Sequence, residues 1–147
     1  MKWVPRNGGG GAGDVRRPSI ASLEFIAAVM VHVPDVPAGI SWYEKAFPGI
    51  KRRYIEIANF HVLVIGNIQL EIVQADEKVS SGAAGSVVYW QVADFDKSLA
   101  HWLGIGAVLH RGPMKLEGDQ FMCQVRDPWG NCIGLRGPVK RGRRTKP

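Results

Sequence analysis

The sequence predicts an α+β fold made of two βαβββ units that follow each other along the chain. The first observation is an internal repeat, in which residues 31–35 correspond to residues 90–94, 59 positions later. An aromatic pair follows each copy at the same distance, and a glycine closes each stretch. The corresponding residues are Asp35 and Asp94, the pairs Trp42-Tyr43 and His101-Trp102, and Gly49 and Gly106. The second observation is that each half runs through one strand-like segment, one helical pattern and three further strand-like segments.

In the first unit, an apolar run from Ile26 to Val33 predicts a buried strand. Asp35 is placed to cap the following helix, and Pro37 is tolerated in a first helical turn. The helix should end before Pro48-Gly49. Its apolar face is formed by Val36, Ile40, Tyr43 and Phe47. Three strands are predicted to follow, at 50–57, 60–65 and 68–74, separated by pairs of turn-forming residues.

A polar linker at 77–85 separates the two units. The second unit restarts with a strand from Ser86 to Val92, and Asp94 is its helix cap. The apolar face of this helix is formed by Phe95, Leu99, Trp102 and Leu103. Strands are predicted at about 107–111, 119–126 and 131–136. The segment Asp127-Pro128-Trp129-Gly130-Asn131 is the predicted turn between the last two.

The positive charge of the chain is concentrated at its ends. The 147 residues carry a formal net charge of +6, of which residues 1–23 supply +3 and residues 138–147 supply +5, so the body at 24–137 carries −2. Both ends are predicted to be disordered, the first because of its glycine run. They serve either as solvated tails that aid solubility or as weak contacts to the phosphates of nucleic acid or anionic lipid. The body contains no nucleic-acid-binding motif.

The chain lacks the marks of secretion and of membrane insertion. No signal-peptide pattern follows the early charges, and no stretch approaches the roughly 18 apolar residues that a membrane span needs. We therefore predict a cytoplasmic protein. Its two cysteines, Cys123 and Cys132, are expected to be reduced, with a bridge across the last hairpin as the alternative.

The order of these motifs resembles the vicinal oxygen chelate superfamily, which includes glyoxalase I, extradiol dioxygenases, fosfomycin-modifying proteins and bleomycin-resistance proteins. The resemblance covers about 24–137 (units 24–76 and 86–137) and is carried by the two repeats and by the Asp-Pro-x-Gly-Asn turn at 127–131. It implies that the strands curl into an open curved sheet, a cup, with the helices on its outer face. It also implies that enzymes of this kind hold a divalent metal in the cup with four side chains.

At the four positions where the resemblance places metal ligands, this chain carries Ala28, Glu71, Val87 and Gly134. Only Glu71 has a side chain that can coordinate a metal. One carboxylate with waters binds divalent ions weakly, so the sequence predicts no metal site and no cofactor. Glu71 remains a weak candidate for a divalent metal, and no catalytic residue is assigned.

Strand alternation sorts the remaining side chains between the two faces of each sheet. Val29, Val31, Val88, Trp90 and Val92 should pack under the helices. The cup face should carry the candidate ligand-binding residues Met30, His32, Glu71, Tyr89, Gln91 and Arg136. Glu71 either has such a role or forms a buried salt bridge to Arg136 or Arg126. A mostly apolar pocket with a few polar groups is typical of a small-molecule site.

These observations favour a metal-independent protein that binds or sequesters a small molecule, similar to the bleomycin-resistance group. The resemblance also implies a homodimer, and closed two-fold dimers are common in general. The alternative is a metal-dependent lyase, isomerase or dioxygenase with a non-standard metal site that includes Glu71. A third possibility is a regulatory module whose basic ends are the working part.

Overall fold

A computed structural model describes residues 25–140. Each half of it folds as one βαβββ unit. The first unit contains β1 (Ala28–Val33), α1 (Val36–Ala46), β2 (Lys51–Ile55), β3 (Phe60–Ile65) and β4 (Ile68–Gln74). The second contains β5 (Val88–Gln91), α2 (Phe95–Gly104), β6 (Val108–Lys115), β7 (Gln120–Arg126) and β8 (Cys132–Pro138). The predicted order of elements is confirmed in both halves.

The two units form two open four-stranded sheets with the same topology. The strand orders are β1-β4-β3-β2 and β5-β8-β7-β6. In each sheet the first and last strands of the unit pair in parallel, and the other neighbours are antiparallel. Both helices begin at the predicted aspartates, since the Asp35 carboxylate accepts a hydrogen bond from the Ala38 amide (3.1 Å) and that of Asp94 from the Lys97 amide (3.3 Å).

The core lies between the helices and one face of each sheet. An aromatic cluster joins α1 to the second unit, with Phe47 edge-on to both Trp90 and Trp102 at centroid distances of 4.9 and 5.0 Å. Trp42 also contacts Trp102, and its indole nitrogen donates to the backbone oxygen of Ile105 over 2.8 Å. The two units therefore share one core rather than fold around two separate ones.

Several predicted details are wrong. Leu103 was expected on the buried face of its helix, but it is 41% exposed, so the apolar face of α2 is narrower than predicted. Val88 was expected under the helices, yet it is 37% exposed beside a cleft, whereas Val29, Val31, Trp90 and Val92 do pack against the core. The strand predicted at 107–111 continues to Lys115 through Pro113, because β6 is an edge strand and an edge tolerates proline.

The ordered body ends slightly later than predicted. β8 runs to Pro138 and Val139 packs against the core, so structure extends past the predicted boundary at 137. The whole predicted tail at 1–23 and residues 141–147 of the predicted tail at 138–147 lie outside the described residues. Within 25–140, neither helix has the length and hydropathy that crossing a membrane requires.

Candidate functional site

The face of each sheet opposite the helices is open, and the six candidate residues lie on these open faces. β1 and β4 carry Met30, His32 and Glu71 on the first sheet, where Met30 is the direct cross-strand neighbour of Glu71. β5 and β8 carry Tyr89, Gln91 and Arg136 on the second sheet, where Gln91 is the direct neighbour of Arg136. The structure thus assembles the candidates as two groups of three, one on each sheet.

A cleft of about 210 Å³ opens between the two sheets, where the edge strands β1 and β5 face each other. Met30 and His32 line this cleft, whereas the other four candidates do not. The aromatic rings of Tyr43, Phe47 and Trp90 also line it. The remaining contacts include the linker residues Val79, Ser80, Gly82 and Ala84, and Cys132 on β8. The linker therefore forms part of a wall, a role that its small polar composition did not indicate.

The Asp-Pro-x-Gly-Asn turn holds the two units together at one end of this cleft. Asp127 is only 3% exposed, and its carboxylate accepts hydrogen bonds from the Tyr43 hydroxyl (2.6 Å), the amides of Trp129 and Asn131, and the Asn131 side chain. Asn131 also donates to the backbone oxygen of His32 over 3.0 Å. Burial, followed by the negative charge of Asp127, raises the pKa of Tyr43 well above its usual value.

This set of hydrogen bonds, which we call the clamp, was not predicted from the sequence. Tyr43 was assigned only to a helix face and Asp127 only to a turn, because no local pattern indicates that they meet across 84 positions. The linker joins the same arrangement, since Ser81 donates to the oxygen of His32 (2.6 Å) and the Gly82 amide donates to Asn131 (3.0 Å). The end of β1 is therefore fixed from two directions.

Glu71 does not form the salt bridge that was one of its two expected roles. Within residues 25–140 the single ion pair joins Arg52 to Glu44, on the helix side of the first sheet. Glu71 is half-buried beside Met30 and has neither Arg126 nor Arg136 as a partner. Its carboxylate is therefore available to a ligand.

The residues at the four expected ligand positions do not fit a divalent metal. An added Cβ at Gly134 would lie less than 3.0 Å from three ring atoms of Tyr89, so the Tyr89 ring covers the place where a ligand side chain would begin. Ala28 and Val87 supply no donor atom. Among the described residues, no group of three or more His, Cys, Asp or Glu side chains comes together.

The Tyr89 ring is held in this place by a short chain of hydrogen bonds on the open face of the second sheet. The Gln124 side-chain amide donates to the Tyr89 hydroxyl (2.8 Å), and the Cys132 thiol donates to the Gln124 oxygen (3.5 Å). Gln91 donates to Gln120 over 3.4 Å farther along the same face. A polar network of this kind fixes side chains in one arrangement.

Neither cysteine is an activated nucleophile. Both are free, and burial raises the pKa of Cys123 to about 11. Burial also raises the pKa of Cys132, although the charges of Arg126 and Arg111 act in the opposite direction. At neutral pH both groups are thiols rather than thiolates, as expected from their sequence neighbours.

Comparisons of the sequence with protein families and of the fold with solved structures agree with each other. The model of the Glyoxalase/Bleomycin resistance protein/Dioxygenase superfamily matches residues 25–135. No curated protein sequence matches the chain. The fold is similar to that of a genomically encoded fosfomycin resistance protein from Listeria monocytogenes, at 11% identity and a TM-score of 0.64, covering 80% of this chain and 96% of the other.

Two further solved structures share the fold. One is a member of the same superfamily from Sphaerobacter thermophilus, at 14% identity and a TM-score of 0.63, covering 78% of this chain and 98% of the other. The other is a virulence protein from Salmonella typhimurium, at 18% identity and a TM-score of 0.61, covering 80% and 99%. At these identities the likeness concerns the fold alone.

Proposed function

The chain belongs to the Glyoxalase/Bleomycin resistance protein/Dioxygenase superfamily, and we propose that it binds and sequesters a small, partly apolar molecule without a resident metal. The observation that carries the proposal is the Tyr89 ring over Gly134. It fills the place of a metal-binding side chain with an aromatic surface. The cup is therefore suited to hold an organic molecule rather than a metal ion.

The cleft between the sheets supports the same proposal. Its lining combines aromatic and aliphatic side chains with a few polar groups, which is the usual composition of a small-molecule site. His32 supplies an imidazole at one end, and Met30, which is 58% exposed, supplies a flexible apolar surface. The ligand would lie in the cleft and extend over the open faces on either side.

A panel of small molecules tests this function by thermal denaturation. The panel should include drug-like compounds, since one protein of similar fold is a fosfomycin resistance protein, together with aromatic metabolites. A ligand present at about 100 times its Kd stabilises the fold by about 2.7 kcal/mol. For a domain of this size that is a rise in Tm of about 5–10 °C.

Two controls make the result specific. His32→Ala should weaken binding, whereas His110→Ala, on the exposed edge strand β6, should leave it unchanged. Dialysis against a chelator should not reduce the affinity. If no compound raises the Tm, or if binding disappears with the chelator, the proposal is wrong.

A second candidate function rests on the half-buried and unpaired carboxylate of Glu71. It is a lyase, isomerase or dioxygenase activity with a non-standard metal site that includes this residue. Metal analysis of protein purified without chelator distinguishes the two functions. A stoichiometric transition metal, lost in Glu71→Gln, would favour the enzyme.

The assembly and location are part of the same proposal. Relatives of the bleomycin-resistance type are expected to build their cups at a two-fold interface, and the exposed open faces are compatible with a homodimer. Light scattering at several protein concentrations measures the mass in solution. A cytoplasmic location stays a prediction.

A further inference from the structure

The second sheet has an unusual distribution of charge. Its four strands carry Arg111, Lys115, Arg126 and Arg136, and they contain neither aspartate nor glutamate. The acidic residues of this unit lie elsewhere, in α2 and its cap, in the turn at 117–119, and at Asp127, which is buried against Tyr43. An excess of one charge on one surface attracts ligands of the opposite charge.

Three of these cations share the open face. Cys123 and Val125 of β7 point into the core, so the alternating residues Gln124 and Arg126 point to the other side. Arg111 is the cross-strand neighbour of Gln124, Arg126 is that of Cys132, and Arg136 lies two positions beyond Gly134 on β8. The charges of Arg126 and Arg111 lower the pKa of the Cys132 thiol, against the larger effect of burial, which agrees with the cross-strand register that places both residues on its face.

These guanidinium groups have no anionic partner within residues 25–140, where the one ion pair involves Arg52. The Nε atom of Arg126 is buried and has no hydrogen-bond acceptor among the described residues. A buried donor without an acceptor is destabilising, and such groups in folded proteins need an explanation. A ligand that accepts hydrogen bonds at this place would supply one.

The hydrogen-bond chain on the same face ends in another free donor. Cys132 donates to Gln124 and Gln124 donates to Tyr89, so the Tyr89 hydroxyl is used as an acceptor. Its own hydrogen has no acceptor among the residues that the structure describes. The face therefore offers unused donors near Gly134, from the Tyr89 hydroxyl and from the guanidinium groups.

We infer that the open face of the second sheet binds an oxyanion, the carboxylate or phosphate group of the ligand, through Arg111, Arg126 and the Tyr89 hydroxyl. The inference rests on the proposed function and gives the ligand a chemical class: an apolar body in the cleft with an acidic group over β7 and β8. The charged oxygens of a carboxylate or phosphate are hydrogen-bond acceptors, and guanidinium groups bind them through charge-assisted hydrogen bonds.

Three probes test the inference: inorganic phosphate, benzoate, and benzamide as the uncharged analogue of benzoate. Calorimetric titration should give binding for phosphate and benzoate, with benzamide at least about tenfold weaker, because it lacks the charge that strengthens each hydrogen bond. Binding of the two anions should weaken with added salt.

Single substitutions test which residues form the oxyanion site. Arg111→Gln and Arg126→Gln should each raise the Kd for benzoate by about tenfold or more. Tyr89→Phe should raise it severalfold, because the ring remains and only the hydroxyl is lost. The matched control is Arg53→Gln, which removes the same charge from β2 of the first sheet and should change the Kd by less than about twofold. Arg111 is exposed, so its variant will fold even if Arg126→Gln does not.

The outcomes separate this inference from the proposed function. If neutral compounds of the panel bind, but benzoate binds no better than benzamide, the protein binds small molecules and the oxyanion site is wrong. An equal effect of Arg53→Gln and Arg111→Gln would also overturn it, because the attraction would then be a general charge effect. If nothing binds, both proposals fall together.

Discussion

The close contact between the Tyr89 ring and Gly134 leads to a prediction about stability. Gly134→Ala should destabilise the protein when the ring is present, but not when it is absent. Gly134→Ala adds a Cβ that would lie less than 3.0 Å from three Tyr89 ring atoms, a separation that real Cβ atoms essentially never show. The ring must therefore move and give up the hydrogen bond from Gln124. Overpacking costs about 1–3 kcal/mol and the lost hydrogen bond about 1 kcal/mol, so the free energy of unfolding should fall by about 2–4 kcal/mol.

The same substitution should be harmless once the ring is absent. In a Tyr89→Ala background the added methyl has space, and Gly134 has no left-handed backbone that alanine would strain. Replacing glycine by alanine then stabilises by about 0.4–1 kcal/mol, because the unfolded chain loses conformational freedom. The double variant should therefore be as stable as Tyr89→Ala or slightly more so.

Gly137, on the same strand, provides the matched control. A Cβ at Gly137 would lie less than 3.0 Å from the backbone oxygen of Val92, a clash that no change at Tyr89 relieves. Gly137→Ala should thus be destabilising by a similar amount in both backgrounds. Urea denaturation followed by circular dichroism measures all of these variants. If Gly134→Ala costs the same with and without Tyr89, the ring does not cover this position and the reasoning is refuted.

Three further predictions concern the clamp and the thiol beside the cations. Tyr43→Phe should lower the free energy of unfolding by about 1.5–3 kcal/mol, because the hydroxyl is bonded to the buried Asp127 carboxylate. Tyr54→Phe, at an exposed position, is the control and should change this free energy by less than about 0.5 kcal/mol. Because the pKa of Tyr43 is raised above its usual 10.0, the unfolded chain releases this proton first. Stability present below pH 10 should therefore decline above it, with a smaller slope in Tyr43→Phe, as urea titrations on either side of that pH would measure. Arg126→Gln should raise the pKa of Cys132 further and slow its alkylation by iodoacetamide, followed by intact mass; an unchanged or faster rate would contradict the proximity of the two groups.

Much of the fold could be predicted because its determinants are local. The helix caps at Asp35 and Asp94 and the alternation along β1, β4 and β8 are each encoded within a few residues. The internal repeat then allowed each unit to support the interpretation of the other. The prediction that Leu103 is buried was wrong because helical spacing locates the apolar face of a helix but not its width. The width depends on how much of the helix the sheet covers.

The arrangement of the site was less predictable, because it depends on contacts between distant segments. Alternation assigned Tyr89 to the open face, but only the structure shows its ring over Gly134. The excess of positive charge on the open face of the second sheet can be recognised in the sequence only after the strands and their faces are known. Arg126 was considered only as a partner for Glu71, although the two lie on different sheets and form no ion pair.

The clamp between Tyr43 and Asp127 also affects how the protein is made. During synthesis the first unit leaves the ribosome complete in its own strands, but the Tyr43 hydroxyl and the backbone oxygen of His32 still lack their partners at 127 and 131. Long-range contacts of this kind slow folding and expose apolar surface in the waiting intermediate. The duplicated architecture suggests two independent folding events, but the contacts of the first unit cannot be completed until the turn at 127–131 has been synthesised.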